Sequence, residues 1–137
     1  MINPYGSESL NLLLEHEKTS CEQAINNYAD LPRIILNSAA AANLVMLGAG
    51  YFNPLSGFMN KADALSVCEN YCMTDGLFWP IPVINMLNVK PTFSAGSRIC
   101  LQDPNVDGNP VMATMNVNVV EELSDDEINF MIKSICG

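Results

Sequence analysis

The stretch Gly48-Ala49-Gly50-Tyr51-Phe52-Asn53-Pro54-Leu55-Ser56-Gly57-Phe58-Met59-Asn60-Lys61-Ala62-Asp63 joins two helix-forming segments and decides how the chain is read. Gly48 and Gly50 permit tight or positive-φ backbone, Pro54 fixes a turn, and Phe52, Leu55, Phe58 and Met59 supply apolar anchors. None of these groups can move a proton, so the stretch reads as structural. Before it, Asn37 or Ser38 can cap a helix over residues 39–47, whose alanines and leucine favour helix and which Gly48 and Gly50 stop; this helix is expected to be mostly buried. After it, Asn60 can cap a helix over residues 61–71, with the Asp63 carboxylate in the first turn against the positive helix end. Ala64, Leu65, Cys68 and Cys72 are expected to share its inner face.

Upstream, residues 21–28 suggest a short helix that must end before Leu31-Pro32, because the residue before a proline is pushed out of the helical region. Residues 33–36 then read as a strand. Beyond Asp75-Gly76 the pattern becomes strand-like over residues 78–87, 98–101 and 111–120. The last of these alternates Val111, Ala113, Met115, Val117 and Val119, as a half-buried strand does. Pro80 and Pro82 make their strand start late or run at an edge. The connector Asp103-Pro104-Asn105-Val106-Asp107-Gly108-Asn109-Pro110 is dense in turn formers, so two antiparallel strands should meet there.

Residues 124–136 have a Ser124 cap, Asp125, Asp126 and Glu127 in the first turn, and an apolar stripe of Ile128, Met131, Ile132 and Ile135. This amphipathic helix either packs back on the strand layer or lies against something beyond Gly137. There is no internal repeat, low-complexity tract or long linker, and the expectation is one α+β domain over residues 1–137.

With 49% hydrophobic and 15% charged residues, a 137-residue chain can build a core without staples. Its most apolar stretch, residues 39–52, falls well short of the ~20 apolar residues a spanning helix needs. Met1-Ile2-Asn3-Pro4-Tyr5-Gly6 has neither the basic start nor the apolar run of a secretory signal, so a cytoplasmic location is expected. Cys21, Cys68, Cys72, Cys100 and Cys136 are an odd count without repeating spacing, which suits reduced, mostly buried thiols. Fifteen acidic against six basic side chains give a net charge of −9, which repels phosphate backbones and anionic lipid. Neither nucleic acid nor membrane is expected as a partner.

Four groups could be offered as sites, and each has a blander reading. Cys68 and Cys72 are four apart on an expected helix, but no second pair or nearby histidine completes a zinc site. His16 lies between Glu15 and Glu17, a carboxylate-assisted base in principle; close to the start of the chain, such a cluster is usually a solvated surface. Gly48 and Gly50 are not a phosphate loop, because no Gly-rich loop ending in Lys-Ser/Thr surrounds them. Glu121-Glu122 and Asp125-Asp126 lack the central glycine and terminal glutamate spacing of a calcium loop and fit a helix entry. No catalytic, cofactor-binding or metal-binding residue is assigned, and no cofactor is expected.

The opening stretch resembles the signature of the N-terminal domain of the ATP sulfurylases (sulfate adenylyltransferases), in which a glycine, an aromatic pair, Pro-Leu, Gly-Phe-Met and an Asp occur in this order. Asp75-Gly76-Leu77-Phe78-Trp79-Pro80-Ile81-Pro82 is similar to the family's next block, and residues 98–103 with Gly108 to the one after. The likeness runs collinearly over residues 2–135 and looks closest to the single-function bacterial type. Gln102 departs from it, standing where the family often has an arginine. The resemblance implies a PUA-like β-barrel with peripheral helices, with further strands after position 137. It also implies a larger nucleotidyltransferase domain, in cis or in trans, as the catalytic partner, and allows a homo-oligomer. That domain carries the family's Gln-Xaa-Arg-Asn-Pro and His-Xaa-Xaa-His motifs. Neither occurs here: His16 is the one histidine, and Asn3-Pro4, Asn53-Pro54 and Asn109-Pro110 have no arginine before them. The family reaction, ATP plus sulfate to adenosine 5′-phosphosulfate plus pyrophosphate, is therefore not expected of this chain alone. The alternative is a free-standing PUA-like binding or assembly module whose apolar C-terminal stripe expects a partner. An RNA-binding relative is disfavoured by the sign of the charge.

Overall fold

The computed structural model describes residues 2–14 and 18–136. In chain order its elements are α1 (Lys18–Asn27), β1 (Arg33–Ile35), α2 (Ser38–Gly48), α3 (Lys61–Asn70), β2 (Arg98–Gln102), β3 (Val111–Asn116) and α4 (Asp125–Cys136). They divide into two compact units, one of Met1–Ser56 with Asn85–Val120 and the other of Gly57–Ile84 with Glu121–Gly137.

The first unit is built on an open three-stranded sheet in the order β1-β2-β3. β2 is central because both of its faces are apolar: Ile99, Cys100 and Leu101 are at most 1% exposed. It runs parallel to β1, with Arg33 beside Cys100 and Ile35 beside Gln102. It runs antiparallel to β3, with Arg98 beside Asn116 and an irregularity between Leu101 and Gln102. The expected turn does join β2 and β3. Asp103 Oδ1 accepts from the Asn105 N–H at 2.8 Å, and Gly108 and Asn109 take φ values of 81° and 45°.

β3 ends at Asn116 rather than continuing to position 120. Val117 is still buried, and its N–H donates to the Ser97 carbonyl. Val119 and Val120, by contrast, are exposed and belong to no strand. Apolar alternation carried on where ladder partners stopped. In α2 the Asn37 side chain accepts from the Ala40 N–H at 2.8 Å, confirming Asn37 as the cap. The helix is less buried than its composition suggests: Ala40, Ala41 and Leu47 are inside, whereas Val45 and Met46 face out. A helix covered along one stripe hides only that stripe, however apolar the rest.

In the second unit, α3 starts where Asn60 Oδ1 accepts from the Asp63 N–H at 2.8 Å. It ends when Tyr71 turns left-handed at φ 55°. That cap corrects the expected inner face. Ala64 and Val67 are each 1% exposed, Leu65 and Cys68 are half-buried, and Cys72 lies past the helix end, bridging to Phe78. Residues 78–87 are not a strand either. Beyond the isolated Cys72–Phe78 bridge the segment is irregular, held by Trp79 N–H to the Tyr71 carbonyl and Met59 N–H to the Val83 carbonyl. Pro80 and Pro82 remove two ladder donors within three residues, which is enough to prevent a strand.

α4 opens with a reciprocal cap. The Glu127 N–H donates to Ser124 Oγ at 3.2 Å, and the Ser124 N–H donates to Glu127 Oε2 at 2.8 Å. The helix packs against α3 with Met131 buried, while Ile132 and Ile135 stay about half exposed. No helix among the described residues is long and apolar enough to cross a membrane. All five cysteines are free thiols, but only Cys100 is fully buried and Cys136 is exposed.

Candidate functional site

Asn53, inside the signature stretch, is the one buried polar side chain among the described residues, 7% exposed. Its Oδ1 accepts from the Asn11 N–H at 2.8 Å. Its Nδ2 donates to the Tyr5 carbonyl at 2.8 Å and to Ser7 Oγ at 2.6 Å. The N–H groups of Leu13 and Leu14 both donate to the Gly48 carbonyl, at 3.0 and 3.1 Å. Gly50, at φ 75°, has Leu12 Cδ2 3.0 Å and the Asn11 carbonyl oxygen 3.2 Å from where a Cβ would stand. Residues 5–14 are thus a strap laid over the C-terminal end of α2, and the glycines and Asn53 are its seat. Reading the residues alone missed the strap. The available signal was an amide placed between Phe52 and Pro54 in an otherwise apolar run.

In the second unit Lys61 is the hub. Its backbone N–H donates to Glu121 Oε2 at 2.8 Å. Its Nζ donates to the Glu122 carbonyl at 3.1 Å and lies 3.0 Å from Glu127 Oε1. The Ser124 backbone N–H, with the Lys61 ammonium after it, holds the Glu127 carboxyl below the usual carboxylate range. Glu121 and Glu122 therefore clasp the start of α3, and Asp125 and Asp126 sit in the first turn of α4. Asp63 Oδ1 accepts from the Thr74 N–H at 3.0 Å and from Thr74 Oγ1 at 2.5 Å, tying α3 to the turn beyond it. Among the described residues no three His, Cys, Asp or Glu side chains gather as metal ligands do.

Cys68 lines a shallow groove of about 90 Å³ with Val67, Tyr71, Pro80, Pro82 and Ile135. Burial pushes its thiol up, so it is a poorer nucleophile than a free cysteine. The groove is far below the roughly 300 Å³ at which small-molecule pockets begin. His16, Glu15 and Glu17 lie outside the described residues. Of the groups the sequence offered, Gly48 and Gly50 thus belong to the strap seat and Glu121 and Glu122 to the ties at the start of α3.

Curated relatives carry the same segment within longer chains. The chain is 43% identical over 137 residues to the sulfate adenylyltransferase of Allochromatium vinosum, covering 100% of this chain and 34% of that protein. It is 42% identical over 135 residues to that of Alcanivorax borkumensis, covering 98% and 34%. It therefore spans about a third of the length of these relatives. The solved hexameric APS kinase from Thiobacillus denitrificans matches with a TM-score of 0.68 at 26% identity, over 89% of this chain and 24% of that one. The family described as the PUA-like domain matches residues 2–129, nearly the whole of this α+β chain, which therefore belongs to the PUA-like domain family.

Proposed function

We propose that this chain serves as the N-terminal scaffold of a sulfate adenylyltransferase, catalytically silent by itself and acting with a nucleotidyltransferase domain that performs the reaction. The observation that carries this reading is 43% identity across all 137 residues to one such enzyme. Its chemistry supports the second half of the reading. Moving a nucleotidyl group between sulfate and pyrophosphate needs clustered cationic donors around the phosphoryl oxygens. This chain has six basic side chains against fifteen acidic ones, and Lys61 is engaged by Glu122 and Glu127.

In the complete protein the open sheet is extended into the closed PUA-like barrel, the protein is cytoplasmic, and the subunits assemble into a homo-oligomer. The neighbouring solved structure is of a hexamer, which supports the last point. The test has two arms. The purified chain should make no ATP from adenosine 5′-phosphosulfate and pyrophosphate, and ATP formation by it would overturn the proposal. The endogenous polypeptide in source cells should have about three times the mass of this chain, as a 34% share of its relatives implies. A mass matching 137 residues would favour the second reading, a free-standing assembly module, for which the half-exposed Ile132 and Ile135 on α4 are the supporting observation.

A further inference from the structure

Arg33 and Arg98 are the only arginines in the chain, and the fold brings them together. β1 and β2 are adjacent and parallel with Arg33 beside Cys100, so Arg98, two residues before Cys100, is its diagonal neighbour on the same sheet face. Both side chains are exposed, and both lean on the turn that follows α1. The Arg98 guanidinium lies over the Tyr28 ring at 4.3 Å and donates from Nη2 to Thr114 Oγ1 at 3.2 Å. Arg33 Nη2 donates to the Ala29 carbonyl at 3.0 Å, and Cys100 Sγ reaches the Tyr28 carbonyl at 3.5 Å.

These contacts orient the two guanidinium groups without neutralising them. Each has five N–H donors and uses one. Among the described residues the ion pair formed is Lys61 with Glu127, and neither arginine forms one. In a chain of net charge −9, two like charges held side by side on neutral partners are an unmatched cationic patch.

We propose that Arg33 and Arg98 form a binding site for a tetrahedral dianion of the phosphate or sulfate type, free or as the terminal group of a small metabolite. Planar guanidinium forks match the oxygen spacing of such groups, and Tyr28 and Thr114 fix the Arg98 fork in advance. The site lies wholly in the first unit, so it stands or falls independently of the sulfurylase reading.

Two arginines give two side-chain Nε–Hε NMR signals, which makes the test direct. Inorganic phosphate is titrated into the ¹⁵N-labelled chain at pH 7.5, with sodium chloride adjusted to hold ionic strength constant. Both signals should move together and saturate with one midpoint. Arg98→Gln and Arg33→Gln should each weaken the midpoint at least tenfold and stop the remaining arginine from responding. Lys133→Gln, on α4, should leave it unchanged. Unaltered backbone amide spectra establish that the variants fold, and Arg98→Lys, which keeps the charge but loses the fork, should also bind several-fold more weakly. Methyl phosphate binding as well as inorganic phosphate would identify the terminal group of a larger molecule as the ligand, and its failure to bind would identify the free ion. Movement that is linear, confined to one arginine, matched by chloride or kept in the glutamine variants would overturn the proposal. So would tighter binding of glutarate, which would make the patch a receptor for polypeptide carboxylates.

Discussion

Replacing Asn53 by alanine should detach the strap without dismantling the sheet. The side chain is 7% exposed and makes three hydrogen bonds, to Asn11 N, Tyr5 O and Ser7 Oγ. At roughly 0.5–1.5 kcal/mol net for each, the sum is about 1.5–4.5 kcal/mol. The lower half of that range is expected, near 2 kcal/mol, because the strap's freed groups can turn to water rather than stay buried and unpaired. Asn53→Asp should be no better. It keeps the acceptor for Asn11 N–H but points a carboxylate oxygen at the Tyr5 carbonyl, where the amide had donated. Urea unfolding measures the global loss, and amide hydrogen exchange locates it. Residues 7–14 should lose protection by at least tenfold more than Ile99 and Leu101 in β2. A loss below about 0.5 kcal/mol, within the usual range for an unremarkable surface change, would refute the argument. Uniform deprotection of strap and sheet would refute it as well, since Asn53 would then be holding the core rather than the strap.

Gly50→Ala should destabilise by about 1–3 kcal/mol, the usual cost of a strained left-handed residue. The native φ of 75° and contacts of 3.0 and 3.2 Å to Leu12 and Asn11 leave little relief, and an unchanged urea midpoint would contradict this. Glu127 has a carboxyl lowered in the folded state, so its stabilising effect is present above the ordinary carboxylate pKa of about 4.3 and is lost as pH falls through the depressed folded value. The difference in urea midpoint between the chain and Glu127→Gln should accordingly be larger at pH 7 than at pH 2.5, and an equal difference at both would count against the Lys61 and Ser124 contacts. Thiol labelling by iodoacetamide at pH 8 should be fastest at exposed Cys136, slower at Cys68 and slowest at Cys100, as resolved by peptide mass spectrometry. Rapid labelling of Cys100 in the native chain would contradict its burial at 1%.

The parts legible in the sequence were those fixed by local chemistry. Asn60 and Ser124 cap as their side chains require, and Asp103 to Pro110 turns as its composition dictates. β2 follows from a run that is apolar on both faces. The misreadings arose where local pattern lacked a tertiary partner. Val117 to Val120 keep the period of a strand, but no neighbouring strand extends to them. Residues 78–87 look extended, but two prolines remove their donors. Cys72 has the i+4 spacing from Cys68, but the left-handed Tyr71 intervenes. The strap was hidden for a different reason. Its contacts span more than forty residues, from Asn53 to Tyr5, Ser7 and Asn11, and no periodicity reports a contact of that range.

The placement of the ionisable groups bears on the proposed scaffold role more directly than their number does. A catalytic carboxylate must face a cleft and leave part of its hydrogen-bonding capacity for substrate. Here Asp63 is directed at Thr74, Glu121 at the α3 backbone, and Glu127 at Ser124 and Lys61. The other unit carries the two arginines, oriented by neutral partners and without an ion pair among the described residues. Carboxylates committed to caps and ties, with two guanidinium groups left able to donate, fit a supporting domain of the kind proposed, whose remaining chemistry is recognition of an anion rather than transformation of one.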